Sequence, residues 1–147
     1  MSNISIETLS SPVAEADCQA ISRLIPQVVP GFAGDLAVNL ANVVQSPCSR
    51  LLVARSGQAL VVGLAVLNFL PKTIGIEARL NDLVVDESHR EQGYGNALVE
   101  MAVLEARKAG AYKLELTCRT GLVAVNALSS AKFGDSLAVN RYTLYIE

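Results

Sequence analysis

Polar and apolar residues follow two periods along the chain, and the switches between them mark its elements. Residues 4–9 alternate with period two and predict a strand, whereas over residues 14–29 Ala16, Ala20, Leu24 and Val28 fall on one face of a helix. Pro12 sets the entry of that helix and Pro30-Gly31 its stop. Asp35 is placed as the N-cap of a second helix, which turns Leu36, Leu40, Val43 and Val44 inward and ends before Pro47. The apolar runs 50–55 and 59–70 are separated by Arg55-Ser-Gly-Gln, a hairpin signal, and predict antiparallel strands. The second run is too apolar for a sheet with one wet face, so it belongs at the centre, covered on both sides.

Residues 74–85 predict another strand, interrupted where Gly75 and Arg79-Leu-Asn-Asp break the alternation; a bulge is expected there. Over residues 94–109 the apolar positions Leu98, Val99, Met101, Ala102, Val103 and Ala106 surround most of a helix, leaving Glu100, Glu105, Arg107 and Lys108 as its exposed stripe. The two cations suit the negative end of the dipole, and Gly110 is a natural C-cap. Residues 112–119 then predict a strand, 122–132 a short helix and 139–146 a final strand. The order β-α-α-β-β-β-α-β-α-β gives an α/β (α+β) fold, a mixed sheet with helices on both faces. With no repeat or linker, one domain over residues 1–147 is expected.

Composition narrows the function. An apolar fraction of 51% suits a packed globule, and a net charge of −2 without any basic stripe removes the electrostatic basis for nucleic-acid or anionic-membrane binding. Residues 59–70, the most apolar stretch, are too short to span a bilayer, which takes about 20 residues. Cys18, Cys48 and Cys118 are widely spaced and odd in number, which suggests neither a metal knuckle nor a disulfide framework. No secretory signal is read at the N-terminus, so a cytoplasmic location is expected.

The chemistry concentrates where the interrupted strand meets the long helix. Leu83, Val84 and Val85 end the strand, residues 86–92 are wholly polar, and helical spacing resumes from Gly95. A helix start leaves backbone N–H groups without intrahelical partners and carries a partial positive charge, so a phosphate placed there meets both donors and field. Gly93 and Gly95 let backbone approach a ligand, and Arg90 can bond a phosphate oxygen. The dinucleotide fingerprint fits badly, because it needs a small residue at Leu98 and a strand running almost directly into the first glycine; the Gly-Lys-Ser/Thr of nucleotide-triphosphate loops is absent. An isolated Gly-x-Gly would only punctuate a loop. His89, the sole histidine, is expected at the surface of the polar segment.

Arg90-Glu-Gln-Gly-Tyr-Gly, preceded by Asp-Leu-Val-Val-Asp-Glu-Ser-His, resembles the acyl-CoA pyrophosphate loop of the GNAT superfamily of N-acyltransferases. Leu114-Glu-Leu-Thr-Cys-Arg, Val123-Ala-Val-Asn-Ala-Leu and Asn140-Arg-Tyr resemble, in order, the family's following strand, helix and closing strand. The resemblance runs from about Leu51 onward. It implies a mostly antiparallel GNAT-like sheet and acetyl-CoA as co-substrate, without a metal. Its cofactor residues would be Leu83, Val84 and Val85 toward pantetheine, Arg90, Glu91, Gln92, Gly93, Tyr94, Gly95, Asn96 and Ala97 around the pyrophosphate, and Asn126 toward pantetheine again. The acceptor implied is a primary amine of a small molecule or peptide, and a homodimer is compatible with it. The first two helices would form one wall of the acceptor site, and Pro30-Gly-Phe-Ala-Gly is either a mobile acceptor loop or a plain connector.

Acyl transfer to an amine needs a base, an oxyanion donor and a proton for the departing thiolate. Asp82 and Glu77, on the strand bordering the thioester, are the candidates for the base, and a backbone N–H near Leu83 or Val84 for the donor. The tyrosine that many GNAT enzymes use as acid is missing. Its slot falls on Leu128 or Ser129, with Lys132-Phe-Gly where Gly-Phe is expected, so Ser129 is the remaining candidate. A non-catalytic acyl-CoA sensor that keeps the loop and has lost the acid is the alternative, and an α/β domain unrelated to CoA is a third.

Overall fold

A computed structural model of the chain describes residues 4–116 and 141–146. The chain divides into two compact units, Met1–Thr117 and Cys118–Glu147. In the first, β1 (Ser5–Leu9), α1 (Glu15–Val28), α2 (Leu36–Gln45), β2 (Ser49–Arg55), β3 (Val61–Lys72), β4 (Gly75–Val85), α3 (Tyr94–Lys108) and β5 (Lys113–Leu116) follow in the expected order. In the second, residues 141–146 form neither helix nor strand, so the closing strand expected over 139–146 is not formed across them. Alternation makes a strand only where a neighbour supplies the ladder, and no described residue pairs with this segment. The helix expected over 122–132 lies outside the described residues.

The five strands lie side by side in sequence order, antiparallel from β1 to β4 and parallel between β4 and β5. Leu51, Leu52, Val53 and Ala54 are all buried, as are Val61 to Ala65 with Gly63 among them, because both faces of the sheet are covered. Leu51, Val53 and Leu64 pack with Ala20, Ile21 and Leu24 of α1 and Leu40 of α2. The opposite face belongs to α3. Its Leu98 approaches the sheet at Gly63, where a Cβ would lie 3.3 Å from Leu98 Cδ1, 3.2 Å from the Val84 carbonyl oxygen and 3.5 Å from Ala54 Cβ. Glycine in this central strand is therefore a condition of close helix-on-sheet packing.

Local chemistry fixes the ends of the elements. Asp35 Oδ1 accepts the Val38 N–H at 3.2 Å and caps α2 as expected. α3 stops in a Schellman turn, with Gly110 at φ +74°, the Gly110 N–H bonded to the Arg107 carbonyl and the Ala111 N–H to that of Ala106. Arg55 draws β1, β2 and α1 together by donating to Glu7 at 2.6 Å and, through both terminal nitrogens, to Asp17 at 2.8 and 2.7 Å. The bond from Arg55 holds the Asp17 carboxyl below its usual range. No helix among the described residues is long and apolar enough to cross a membrane.

Gly63→Val should cost on the order of 1–3 kcal/mol, because the added methyls must displace Leu98 or the Val84 carbonyl from a close-packed contact. Urea midpoints of the two proteins check it; equal midpoints at equal slopes would mean that α3 has room above β3.

Candidate active site

β4 is the strand on which the candidate site is built. Against β3 its register runs from Lys72↔Gly75 to Val66↔Asn81 and resumes, shifted by one, at Leu64↔Val84. Asp82 and Leu83 are left without register partners on β3, and Asp82 sits at φ +57°. This is the expected bulge. Aspartate is among the few residues besides glycine that tolerate a left-handed backbone, so the sequence meets the strain locally. On its other side β4 pairs with β5 only from Glu77↔Lys113 to Leu80↔Leu116. Among the described residues, the backbone beyond Leu80 has ladder partners on the β3 side alone.

The two candidate carboxylates sit in opposite environments. Glu77 is fully buried, paired through Oε2 with the Lys72 ammonium and through Oε1 with Arg79 Nε at 3.2 Å and Lys113 Nζ at 3.6 Å. The Lys72 ammonium, aided by Arg79 and Lys113, outweighs burial and lowers its pKa from 4.5 to about 2. A carboxylate so weakly basic and so enclosed is arranged to hold the β4–β5 edge and poorly arranged to take a substrate proton. Asp82 is exposed and forms no ion pair among the described residues. Its side chain lines a cavity of roughly 170 Å³ between α1, α2 and the sheet.

From β4 the chain enters the polar loop through a one-turn 3-10 helix, Glu87–His89. Glu91 at φ +62° and Gly93 at φ +94° then reverse it into α3, which has neither a side-chain cap nor an acidic residue in its first turn. The N–H groups of Gly93, Tyr94, Gly95 and Asn96 have no acceptor among the described residues, whereas that of Ala97 is committed to the Gly93 carbonyl at 3.0 Å. Four donors at the positive end of a 15-residue helix are thus without a protein acceptor among the described residues. A Cβ on Gly95 would meet only Val85 Cγ2, at 3.7 Å, so the protein itself has room there. Gln92 and Asn96 are exposed beside these donors.

Several predicted residues are placed differently from their simplest reading. The Tyr94 side chain is 3% exposed and belongs to the core, leaving only its backbone for a ligand. Arg90 turns back on the loop, with Nε on the Val85 carbonyl at 3.2 Å and a terminal nitrogen on Gln27 Oε1 at 3.3 Å. His89 is half-buried instead of free at the surface, its Nδ1 3.0 Å from Asp86 Oδ2 and its ring edge-on to Tyr94. Leu83 and Val85 are half-buried and Val84 buried. Ser129, Asn126 and Leu128 lie outside the described residues, and Tyr142 is exposed.

Gln27 was not signalled by the sequence. From the end of α1 its side-chain amide donates to Asp86 Oδ1 at 3.1 Å, and its carbonyl oxygen accepts the Glu87 N–H at 3.1 Å as well as the Arg90 contact. Asp86, bonded also by Ser88 and His89, has its pKa lowered to about 2, chiefly by the Ser88 hydroxyl. A polar residue at the end of an amphipathic helix carries no mark of a partner 60 positions away.

A strand that bulges beside an apolar cavity and leads through a glycine turn into an uncapped helix start is the framework of an acyl-transfer domain. The model of the acetyltransferase (GNAT) family matches residues 26–134, well over half of the chain, and the chain belongs to that family. It is thereby an acyltransferase. Among solved structures it is similar to an aminoglycoside acetyltransferase from an uncultured soil metagenomic sample (TM-score 0.81, 19% identity, 98% of this chain and 97% of that one). It is also similar to an acetyltransferase of Trypanosoma brucei (0.74, 23%, 97% and 100%) and to the ribosomal-protein-alanine N-acetyltransferase of Brucella melitensis biovar Abortus 2308 (0.77, 17%, 99% and 100%). At these identities the likeness speaks for the fold. No curated protein matches the sequence.

The ionisation of Glu77 makes a test of the site's frame. Its stabilising contribution is complete above the ordinary glutamate pKa of 4.5 and is lost as pH falls toward about 2. Glu77→Gln should therefore lower the urea midpoint at pH 7, and the gap from the parent should shrink between pH 5 and pH 2. A gap that stays constant over that range would show that the charge of Glu77 does not hold the edge.

Proposed function

We propose that the protein is an N-acetyltransferase that moves an acetyl group from acetyl-CoA to a primary amine of a small molecule or peptide. The observation that carries this reading is the row of N–H groups from Gly93 to Asn96 that have no acceptor among the described residues, set across the loop from the bulged strand whose Asp82 faces a cavity. These donors fit a pyrophosphate, since the first turn of the helix holds no acidic side chain to compete for them and hydrogen at Gly95 leaves the approach open among the described residues. Glu91 and Gln92 flank that approach, and Arg90, through its bonds to Val85 and Gln27, sets the shape of the loop. Acetyl-CoA supplies the acyl group as a thioester. The backbone of β4 after Leu80, which on that side pairs with no described residue, receives its pantetheine arm along Leu83, Val84 and Val85, with Asn126 assigned to the same arm. The family match crosses from the first compact unit into the second, which supports one acyltransferase domain over the chain.

In the transfer, the amine nitrogen bonds to the acyl carbon while the carbon–sulfur bond breaks. Asp82 accepts the proton that the amine gives up, directly or through water, and the backbone N–H of Leu83 or Val84 bonds the developing oxyanion. The departing thiolate takes a proton from solvent or from a water held by Ser129. Glu77 is assigned to the frame and not to the reaction.

Titration with CoA and the rate of thiol release in the presence of amines test this reading. Gly95→Val should abolish CoA binding while the urea midpoint stays near the parent's. Asp82→Asn should slow turnover on the order of a hundredfold with CoA affinity unchanged. Saturable CoA binding without turnover of any amine would identify a sensor instead.

A further inference from the structure

The cavity beside Asp82 has a composition that selects among amines. It is walled by α1, α2 and the inner face of the sheet, through side chains such as Ile21, Ile25, Leu36, Val43 and Leu64, with Phe32 of the α1–α2 connection at its edge. Among the described residues, Asp82 is its single charged lining residue and Asn39 its single uncharged polar one. Phe32 and Val29 are 37% and 46% exposed, so apolar surface continues to the mouth. A volume of roughly 170 Å³ is close to that of apolar cavities, about 150 Å³, known to take up one benzene ring.

From this geometry we infer that the acetyl acceptor is a primary amine carrying one compact apolar group, an arylalkylamine or a short branched or linear alkylamine, with the ammonium on Asp82 and the apolar group among the α1 and α2 side chains. The inference rests on the acyl-transfer reading above for the fate of the amine, and on the cavity alone for its recognition. One carboxylate matches one ammonium. A polyamine or an aminoglycoside would bring further cations and hydroxyls against Val, Leu and Ile side chains, which offer them no bond in exchange for water. A peptide N-terminus would need partners for its amide groups, and among the described residues Asn39 is the only uncharged polar side chain of the lining that can bond one. The left-handed backbone at Asp82 serves the same end, because the bulge takes residues 82 and 83 out of the β3 register at the cavity wall.

The test uses the full chain with 2-phenylethylamine, n-hexylamine, spermidine and alaninamide as acceptors at saturating acetyl-CoA, alongside ligand-observed NMR of each amine with the protein alone. The two apolar amines should exceed spermidine and alaninamide in kcat/KM by roughly tenfold or more. They should also bind without cofactor, and lose that binding in Asp82→Asn. Phe32→Ala, at the partly exposed rim, should raise KM for 2-phenylethylamine and leave CoA affinity unchanged. Spermidine or alaninamide turned over as well as the apolar amines would overturn the inference while leaving the transferase intact. Failure to bind CoA together with Asp82-dependent binding of 2-phenylethylamine would instead overturn the acyl-transfer reading and keep the assignment of the cavity. Absence of any binding or turnover of the apolar amines overturns it outright.

Discussion

One extra residue in β4 governs the rest of the site. A strand in register with β3 along its whole length would keep every backbone group in the ladder, and the side chain at position 82 would alternate into a face chosen by the pleat. By gaining a residue between Asn81 and Val84, the strand resumes its pairing one step out of phase. Two residues thereby leave the ladder where the cavity lies. The cost is a non-glycine residue in the left-handed region, held in place by regular pairing on both sides of the bulge.

The two carboxylates of β4, only five positions apart, show how environment divides labour. Glu77 stands where the sheet passes from antiparallel to parallel pairing, with cations contributed by β3, β4 and β5 around it. Its charge is consumed in holding strands. Among the described residues Asp82 has no such company, and it lines the cavity on the side of the helices. From the amino-acid string both were acidic residues in one apolar strand, and nothing distinguished them. The distinction lies in which neighbours the fold supplies.

The order of the elements as far as β5 was legible because each carried its own period and its own stop: Asp35 at the start of α2, Gly110 at the end of α3, the apolar run that had to become a central strand. The bulge was legible as a break in alternation, though the left-handed residue within it was not. The loop was legible through its glycines. Three features escaped because they join residues far apart in sequence: the clamp made by Gln27, the cations around Glu77, and the packing of Tyr94 beneath the loop it was expected to line. The fold of 141–146 escaped for another reason, since alternation states what a segment can pair with, and among the described residues it has no partner.

Gln27 stands between the two halves of the candidate site. It sits two residues from Val29 of the cavity wall, and its side chain holds the turn that leads into the α3 donors. Any shift of α1 that accompanies filling of the cavity must either carry the loop with it or break these bonds. Two ligands that share such a support are thermodynamically linked, and linkage is reciprocal: the factor by which one occupant changes the affinity of the other is the same in both directions. In the proposed transferase this one amide side chain would couple the affinities for the two substrates from a position outside both the cavity lining and the donor row.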